Sequence, residues 1–197
     1  MTSSIKSLLR KTYLPLRAKL PKDYKEASAK LIRKHLKKLE AYRYAKKIAL
    51  YQAVKGEISL DSIWTEAPLQ GKFCYFPVVT DNTDLLFLPA TPATPFIKNR
   101  YNIDEPNVNL KEAISVEELD IIFLPLVLFD NQGNRLGMGA GFYDRTLAKI
   151  KESGAKKPLL IGLGYEFQRY PRLPTDIYDI RLDLAITPRQ IYWFDKN

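Results

Sequence analysis

The chain has one cysteine and one histidine in 197 residues. With Cys74 alone, no internal disulfide can form, and a reducing, cytoplasmic location is the default. Cys74 lies in the apolar run Lys72-Phe-Cys-Tyr-Phe-Pro77, which predicts a buried, inert thiol. His35 stands among lysines. A metal site built on imidazoles is therefore excluded, as is a Ser-His-Asp or Cys-His catalytic unit unless His35 supplies it. Long apolar runs are also lacking. The longest, Ile121 to Phe129, contains Pro125 and falls well short of the roughly 20 residues that span a bilayer. No signal-peptide core precedes the first charges. Internal repeats and low-complexity tracts are absent.

What is present fits one globular unit over residues 1–197. Hydrophobic residues make up 46% of the chain, enough for a packed core. The net charge of +9 suits either a nucleic acid or an anionic small molecule. Basic residues concentrate in the first 50 positions, above all from Lys30 to Lys47, as one face of a long helix. No basic-aromatic motif accompanies them. The expected partners are small molecules, with no nucleic acid, no membrane, and a monomer as the working state.

The periodicity predicts a first helix capped at Ser3-Ser4, with Lys6 and Arg10 four apart on one face. Pro15 is expected to end or kink it. A second helix is expected from Asp23, with Glu26 completing a capping box and Ala27, Leu31, Leu36, Leu39 and Tyr42 facing inward. Strands are expected at Ile48–Tyr51, Lys72–Val79, Leu85–Leu88, Leu119–Phe129, Leu159–Gly164, Leu182–Ile186 and Ile191–Phe194. Helices are expected at Ser59–Leu69 and Phe142–Ser153, the latter with Leu147 and Ile150 inward and a stop at Gly154. Residues 89–106 read as a Pro-rich irregular connection. Strands alternating with helices predict an α/β fold in three layers, with a mostly parallel central sheet and a basic helical N-terminal segment.

The segment Gly137-Met-Gly-Ala-Gly141 falls between a buried strand with its turn and a helix. Glycines allow sharp turns and close approach, and a helix N-terminus presents N–H groups and a positive dipole end to a phosphate. Arg135 precedes the glycines, and Asp144 follows in the first helical turn, where an acid can hold magnesium or simply stabilise the helix. The dinucleotide fingerprint fails because Phe142 stands where its third glycine belongs, and no Walker A string occurs. On the residues alone, a phosphate site and a plain strand-to-helix turn both stand.

The longer string Asn134-Arg-Leu-Gly-Met-Gly-Ala-Gly-Phe-Tyr-Asp-Arg145 resembles the signature of the 5-formyltetrahydrofolate cyclo-ligase family. The resemblance spans most of the chain. It includes Lys6-Ser-Leu-Leu-Arg10, Ile48-Ala-Leu-Tyr51 with Gly56-Glu57, and Ile103-Asp-Glu-Pro106. It also takes in Leu163-Gly-Tyr-Glu-Phe-Gln168 and Asp179-Ile-Arg-Leu-Asp183. It implies an ATP- and Mg²⁺-dependent enzyme that converts 5-formyltetrahydrofolate to 5,10-methenyltetrahydrofolate, releasing ADP and phosphate through a phosphorylated formyl intermediate. Lys6, Arg10, Arg135, Leu136, Gly137, Met138, Gly139, Ala140, Gly141, Phe142 and Tyr143 would then bind ATP. Gln52, Glu57, Tyr101 and residues Met138 to Phe142 would bind the folate, with Tyr101 positioned to stack on the pterin. Asp144 and Asp183 would hold Mg²⁺, and Arg10, Arg135 and Asp144 would serve catalysis.

Three departures from the family pattern stand out: Ala140 where many members have Gly or Lys, Asn102 for a usual Gly, and Tyr178 for a common His before Asp179. Read singly, several residues keep plainer roles. Lys6 and Arg10 suit a solvated helix face, Glu57 a turn, Asp183 a strand start and Tyr101 a core edge. Three rival functions remain open on sequence: a sugar-phosphate or acyl-CoA enzyme on a similar scaffold, a basic nucleic-acid module, and a folate-binding relative without catalysis.

Overall fold

A computed structural model describes residues 2–81, 84–153 and 158–195, with backbone alone for residues 149–153. The inward face of Ile150 and the helix stop at Gly154 lie outside these described positions. The chain opens with helix α1 (Thr2–Ala18). Pro15 lies inside it and neither ends nor breaks it. A proline there removes one N–H bond, to the carbonyl four residues back. The helix end is held independently. Arg17 donates to the carbonyls of Leu126 at 2.8 Å and Lys55 at 3.1 Å, and the Lys19 N–H reaches the Pro15 carbonyl at 3.1 Å.

The second helical stretch differs from expectation in start, face and length. Helix α2 (Lys22–Leu36) follows Pro21 and has no side-chain cap, so the Asp23–Glu26 capping box does not form. Glu26 pairs instead with Lys22. The buried stripe is Ser28, Ile32 and Leu36, one residue on from Ala27 and Leu31, which are exposed. The expected single helix breaks at residues 37–39, and α3 (Glu40–Tyr44) is separate. The break turns Leu39 and Tyr42 into the core. Buried Lys72 then closes α3 by donating from Nζ to the carbonyls of Tyr42, Arg43 and Ala45.

Next come β1 (Lys47–Ala49), α4 (Asp61–Glu66), β2 (Phe73–Val79) and β3 (Leu85–Pro89). The stretch 89–106 is not wholly irregular. It contains β4 (Phe96–Lys98) and β5 (Asp104–Pro106), paired as an antiparallel hairpin. Its turn is built by Asn99, whose Oδ1 accepts the N–H groups of Tyr101 and Ile103. Side-chain-made turns of this kind leave only a weak sequence trace. The run 119–129 likewise divides into β6 (Ile121–Pro125) and β7 (Leu128–Asp130), which belong to different sheets. Both pieces are buried, so apolar continuity hides the division. Beyond Pro125, the carbonyls of Leu126 and Val127 accept from the Gln168 amide at 2.9 and 2.8 Å. The chain continues with β8 (Arg135–Leu136), α5 (Phe142–Ser153), β9 (Leu159–Leu163), β10 (Arg169–Tyr170), β11 (Leu184–Ile186) and β12 (Ile191–Trp193).

The main sheet has the order β12-β11-β9-β6-β1-β2-β3. Its five inner strands are parallel, and both edge strands pair antiparallel. Alternate residues feed two cores. Ile48, Phe123, Ile161 and Leu184 pack with Ile32, Leu36 and Tyr42 on one face. Ala49, Ile122, Leu124 and Ala185 pack with Leu147 of α5 on the other. The fold is thus the expected mixed, mostly parallel α/β sheet flanked by helices. From β1 the chain passes first to β2 and later to β6 on the opposite side. That reversal makes the carboxyl ends of β1 and β6 a topological switch point, where such sheets bind ligands.

The lone cysteine and histidine are both structural. Cys74 is buried, and burial pushes its thiol up to about 12. Native protein should therefore leave Cys74 unlabelled by a maleimide over a period in which denatured protein reacts fully. Rapid labelling of the native state would contradict that burial. His35 Nε2 lies 3.2 Å from the Pro188 carbonyl, tying α2 to the turn before β12.

Candidate functional site

A cavity of about 730 Å³ opens at the carboxyl ends of β1, β2 and β6. α1 contributes Lys6 and Arg10, the segment after β1 contributes Gln52 and Glu57, and the β4–β5 turn contributes Tyr101. Residues Arg135 to Asp144 supply a continuous wall. Of the residues singled out from sequence, Asp183 alone does not line it. Its Oδ2 accepts the Leu160 N–H at 2.7 Å, which places that oxygen in a link between β9 and the segment entering β11. Asp179, four residues earlier, lines the cavity instead and pairs with Lys6.

The glycine loop is shaped by Gly139 at φ 110° and Gly141 at φ 70°, conformations that side-chain-bearing residues rarely adopt. Arg10 lies along this loop. Its Nε donates to the Gly137 carbonyl at 2.8 Å, and a Cβ on Gly139 would stand 3.5 Å from the Arg10 guanidinium carbon. Burial lowers the Arg10 pKa and the Asp179 charge opposes that. Arginine remains a cation under either influence.

Arg135 leaves β8 with only 4% of its side chain exposed. One nitrogen, Nη2, donates to Asp144 Oδ1 at 2.7 Å, while the guanidinium faces the Tyr143 ring at 5.8 Å. Its Nε is buried with no hydrogen-bond partner, the one such side-chain atom among the described residues. A buried donor left unpaired costs about 1–3 kcal/mol. Asp144 Oδ1 also accepts the Ile180 N–H at 3.2 Å, which joins the start of α5 to the Asp179 segment. Two cations of the site thus pair with two of its acids, Lys6 with Asp179 and Arg135 with Asp144.

Glu57 is 7% exposed. Its Oε1 accepts from Arg17 Nη2 at 3.2 Å and its Oε2 from the Val54 N–H at 3.0 Å. Burial raises its pKa above the ordinary carboxylate value, and the Arg17 charge opposes the rise. Gln52 is half-buried beside it. Tyr101 is 46% exposed and meets Phe142 edge-to-face, with ring centroids 5.3 Å apart. Asn102, where the family pattern has glycine, takes φ 59°, a left-handed conformation that asparagine tolerates better than most residues. That departure preserves the turn.

Sequence reasoning overlooked Asp179, Arg17 and Glu105. Asp179 stood inside a quoted motif, and its position within reach of a cation was the missing fact. Arg17, buried at 1% exposure, looked like any helix-end cation. Glu105 stood inside the quoted Ile103–Pro106 motif, in a segment read as irregular, so its place on a strand facing the cavity was the missing fact.

Among the described residues no group of three or more His, Cys, Asp or Glu side chains is arranged to hold a metal ion. Asp144 and Asp179 nonetheless place two hard carboxylate ligands on one cavity. That suits a Mg²⁺ ion that takes its remaining ligands from phosphates and water.

A family model described as the 5-formyltetrahydrofolate cyclo-ligase family matches residues 2–188. A 5-formyltetrahydrofolate cyclo-ligase of Haemophilus influenzae is 38% identical over 92% of this chain and 97% of its own length. One from Escherichia coli strain K12 is 33% identical over 74% of this chain and 79% of its own. The solved 5,10-methenyltetrahydrofolate synthetase of Aquifex aeolicus superposes with a TM-score of 0.82 at 32% identity, covering 98% of this chain and 94% of that one. The Mycoplasma pneumoniae synthetase gives 0.73 at 28% identity, covering 93% and 98%. With its length matched almost end to end and its glycine loop, α1 cations and β1 turn gathered on one cavity, the chain belongs to the 5-formyltetrahydrofolate cyclo-ligase family.

Proposed function

We propose that residues 1–197 act as one domain that converts 5-formyltetrahydrofolate to 5,10-methenyltetrahydrofolate using ATP and Mg²⁺, with ADP and phosphate released. The observation that carries this reading is the convergence of Lys6, Arg10, Arg135 and the Gly137–Gly141 loop on the cavity bordered by Gln52, Glu57 and Tyr101. One set suits phosphates. The other borders room for a second, flatter ligand.

The chemistry needs no protein nucleophile. A formamide oxygen is a poor leaving group until it is phosphorylated. The formyl oxygen attacks the γ-phosphorus and ADP leaves. The 10-position nitrogen then attacks the activated carbon and loses its proton, the ring closes and phosphate departs. This suits a site whose one candidate histidine is tied elsewhere. The protein's part is alignment and neutralisation of charge. Lys6 and Arg10 meet the phosphates from α1, and Arg135 adds a third cation beside the glycine loop. The N–H groups at the start of α5 add a fixed positive potential. Asp144 would hold Mg²⁺ with Asp179 as its neighbour in place of Asp183, and the ion would offset charge on the β- and γ-phosphates. Tyr101 and Phe142 offer aromatic contact to the pterin, and Glu57 offers its remaining lone pairs. The reading implies a small-molecule enzyme working as a monomer in the cytoplasm. No helix of the described residues is long and apolar enough to cross a membrane.

Arg10→Ala separates the two ligands. Losing one charge-assisted phosphate contact should weaken ATP by about 10- to 100-fold while folate affinity changes little. Titrating each ligand against a fixed excess of the other measures this. An unchanged ATP affinity would remove Arg10 from the phosphate wall.

A further inference from the structure

Glu105, on β5, is 8% exposed and lines the same cavity, yet no ion pair among the described residues includes it. Buried carboxylates normally have partners for both oxygens. Asp130 shows the usual pattern, its two oxygens accepting from the Gln132, Asn134 and Leu173 backbones and the Asn134 amide. Glu57 has Arg17 and Val54. Glu105 differs. Among the described residues both of its hydrogen bonds go to one oxygen, Oε1, from the Val79 N–H at 2.9 Å and Asn99 Nδ2 at 2.7 Å, and Oε2 accepts none.

The surroundings narrow what Oε2 can receive. Apolar Pro77, Val79 and Leu85 line the cavity with it, and Val79 is its direct neighbour. Asn99, the polar neighbour, has its Oδ1 committed to the Tyr101 and Ile103 N–H groups. A carboxylate among apolar side chains repels phosphate and attracts N–H donors on a flat ring. The phosphate-binding cations come from other elements, α1 and β8.

We propose that Glu105 is a specificity-determining residue whose Oε2 accepts the N–H-rich edge of the pterin, its N3–H and 2-amino group. The proposal rests on the folate reading above. It assigns the orientation of the ring: amino edge toward β5, formyl-bearing edge toward the glycine loop. A hydrogen bond to a charged group of this kind is worth about a 10- to 100-fold change in affinity.

Glu105→Gln is the sharp variant. It keeps a carbonyl oxygen for Val79 and Asn99 and replaces Oε2 with an amide donor that opposes the ring's donors. Calorimetry would measure binding of 5-formyltetrahydrofolate, its 2-desamino analogue and ATP to both proteins. Wild type should favour 5-formyltetrahydrofolate over the analogue by about 10- to 100-fold. That arm requires no folded variant. The E105Q protein should lose most of this preference and keep its ATP affinity, with the analogue, which retains N3–H, weakened less than 5-formyltetrahydrofolate. Equal wild-type affinity for the two folates would overturn the proposal, as would an equal loss of both folates in E105Q. A wild-type protein that binds neither folate would instead overturn the folate reading itself, and the proposal with it.

Discussion

Replacing Arg17 with methionine should destabilise the protein by about 3–5 kcal/mol, because it leaves the Glu57 carboxylate buried without its cation. Arg17 is 1% exposed and also donates to the carbonyls of Lys55 and Leu126. It therefore joins the end of α1 to the turn after β1 and to the chain leaving β6. These are two of the segments that form the cavity, so the loss reaches function through position. Urea denaturation monitored by far-UV circular dichroism would measure it. Adding Glu57→Gln to the Arg17→Met background should recover part of the deficit, since the uncompensated charge is then gone. A single variant as stable as wild type would show that the pair holds nothing in place.

Asp144→Asn should lower turnover by at least about 100-fold, the scale seen when one preorganised electrostatic contact is lost from an active site. The amide oxygen can still accept the Ile180 N–H and the Arg135 hydrogen bond. The fold should survive, with an unfolding transition close to that of wild type. The residual activity should need a higher Mg²⁺ concentration, a dependence that separates a metal ligand from a mere partner of Arg135. Turnover and Mg²⁺ requirement both unchanged would remove Asp144 from the reacting centre.

The parts of this molecule that were legible in the sequence are those that repeat or recur. Alternation of strands and helices gave the parallel sheet, because buried strands such as Ile121–Pro125 are almost wholly apolar. The glycine loop was legible because its two left-handed positions admit little else. The failures share a cause: contacts between residues far apart in the chain. Pro15 stays within α1 because Arg17 anchors the helix end to Leu126, more than 100 positions away. The run 119–129 divides because Arg17 and Gln168 take its carbonyls beyond Pro125, which no local pattern reveals. The inward face of α2 holds Leu36 as expected, but its first turns bury Ser28 and Ile32 in place of Ala27 and Leu31, because burial there follows the packing rather than the hydropathy. At the site, Asp183 and Asp179 belong to one short motif. Which of these carboxylates borders the cavity and which reaches the Leu160 backbone is not legible from the motif.

The central claim is that the cavity couples phosphate chemistry on the α1 and glycine-loop side to ring closure in a folate. Mixing the protein with 5-formyltetrahydrofolate, ATP and Mg²⁺ and following absorbance tests it most directly, because the methenyl product is a distinct chromophore. The account predicts that the chromophore grows only when ATP is present, with ADP formed in equal amount. Folate that stays unconverted with ATP and Mg²⁺ in excess, or converts equally well without ATP, would contradict it.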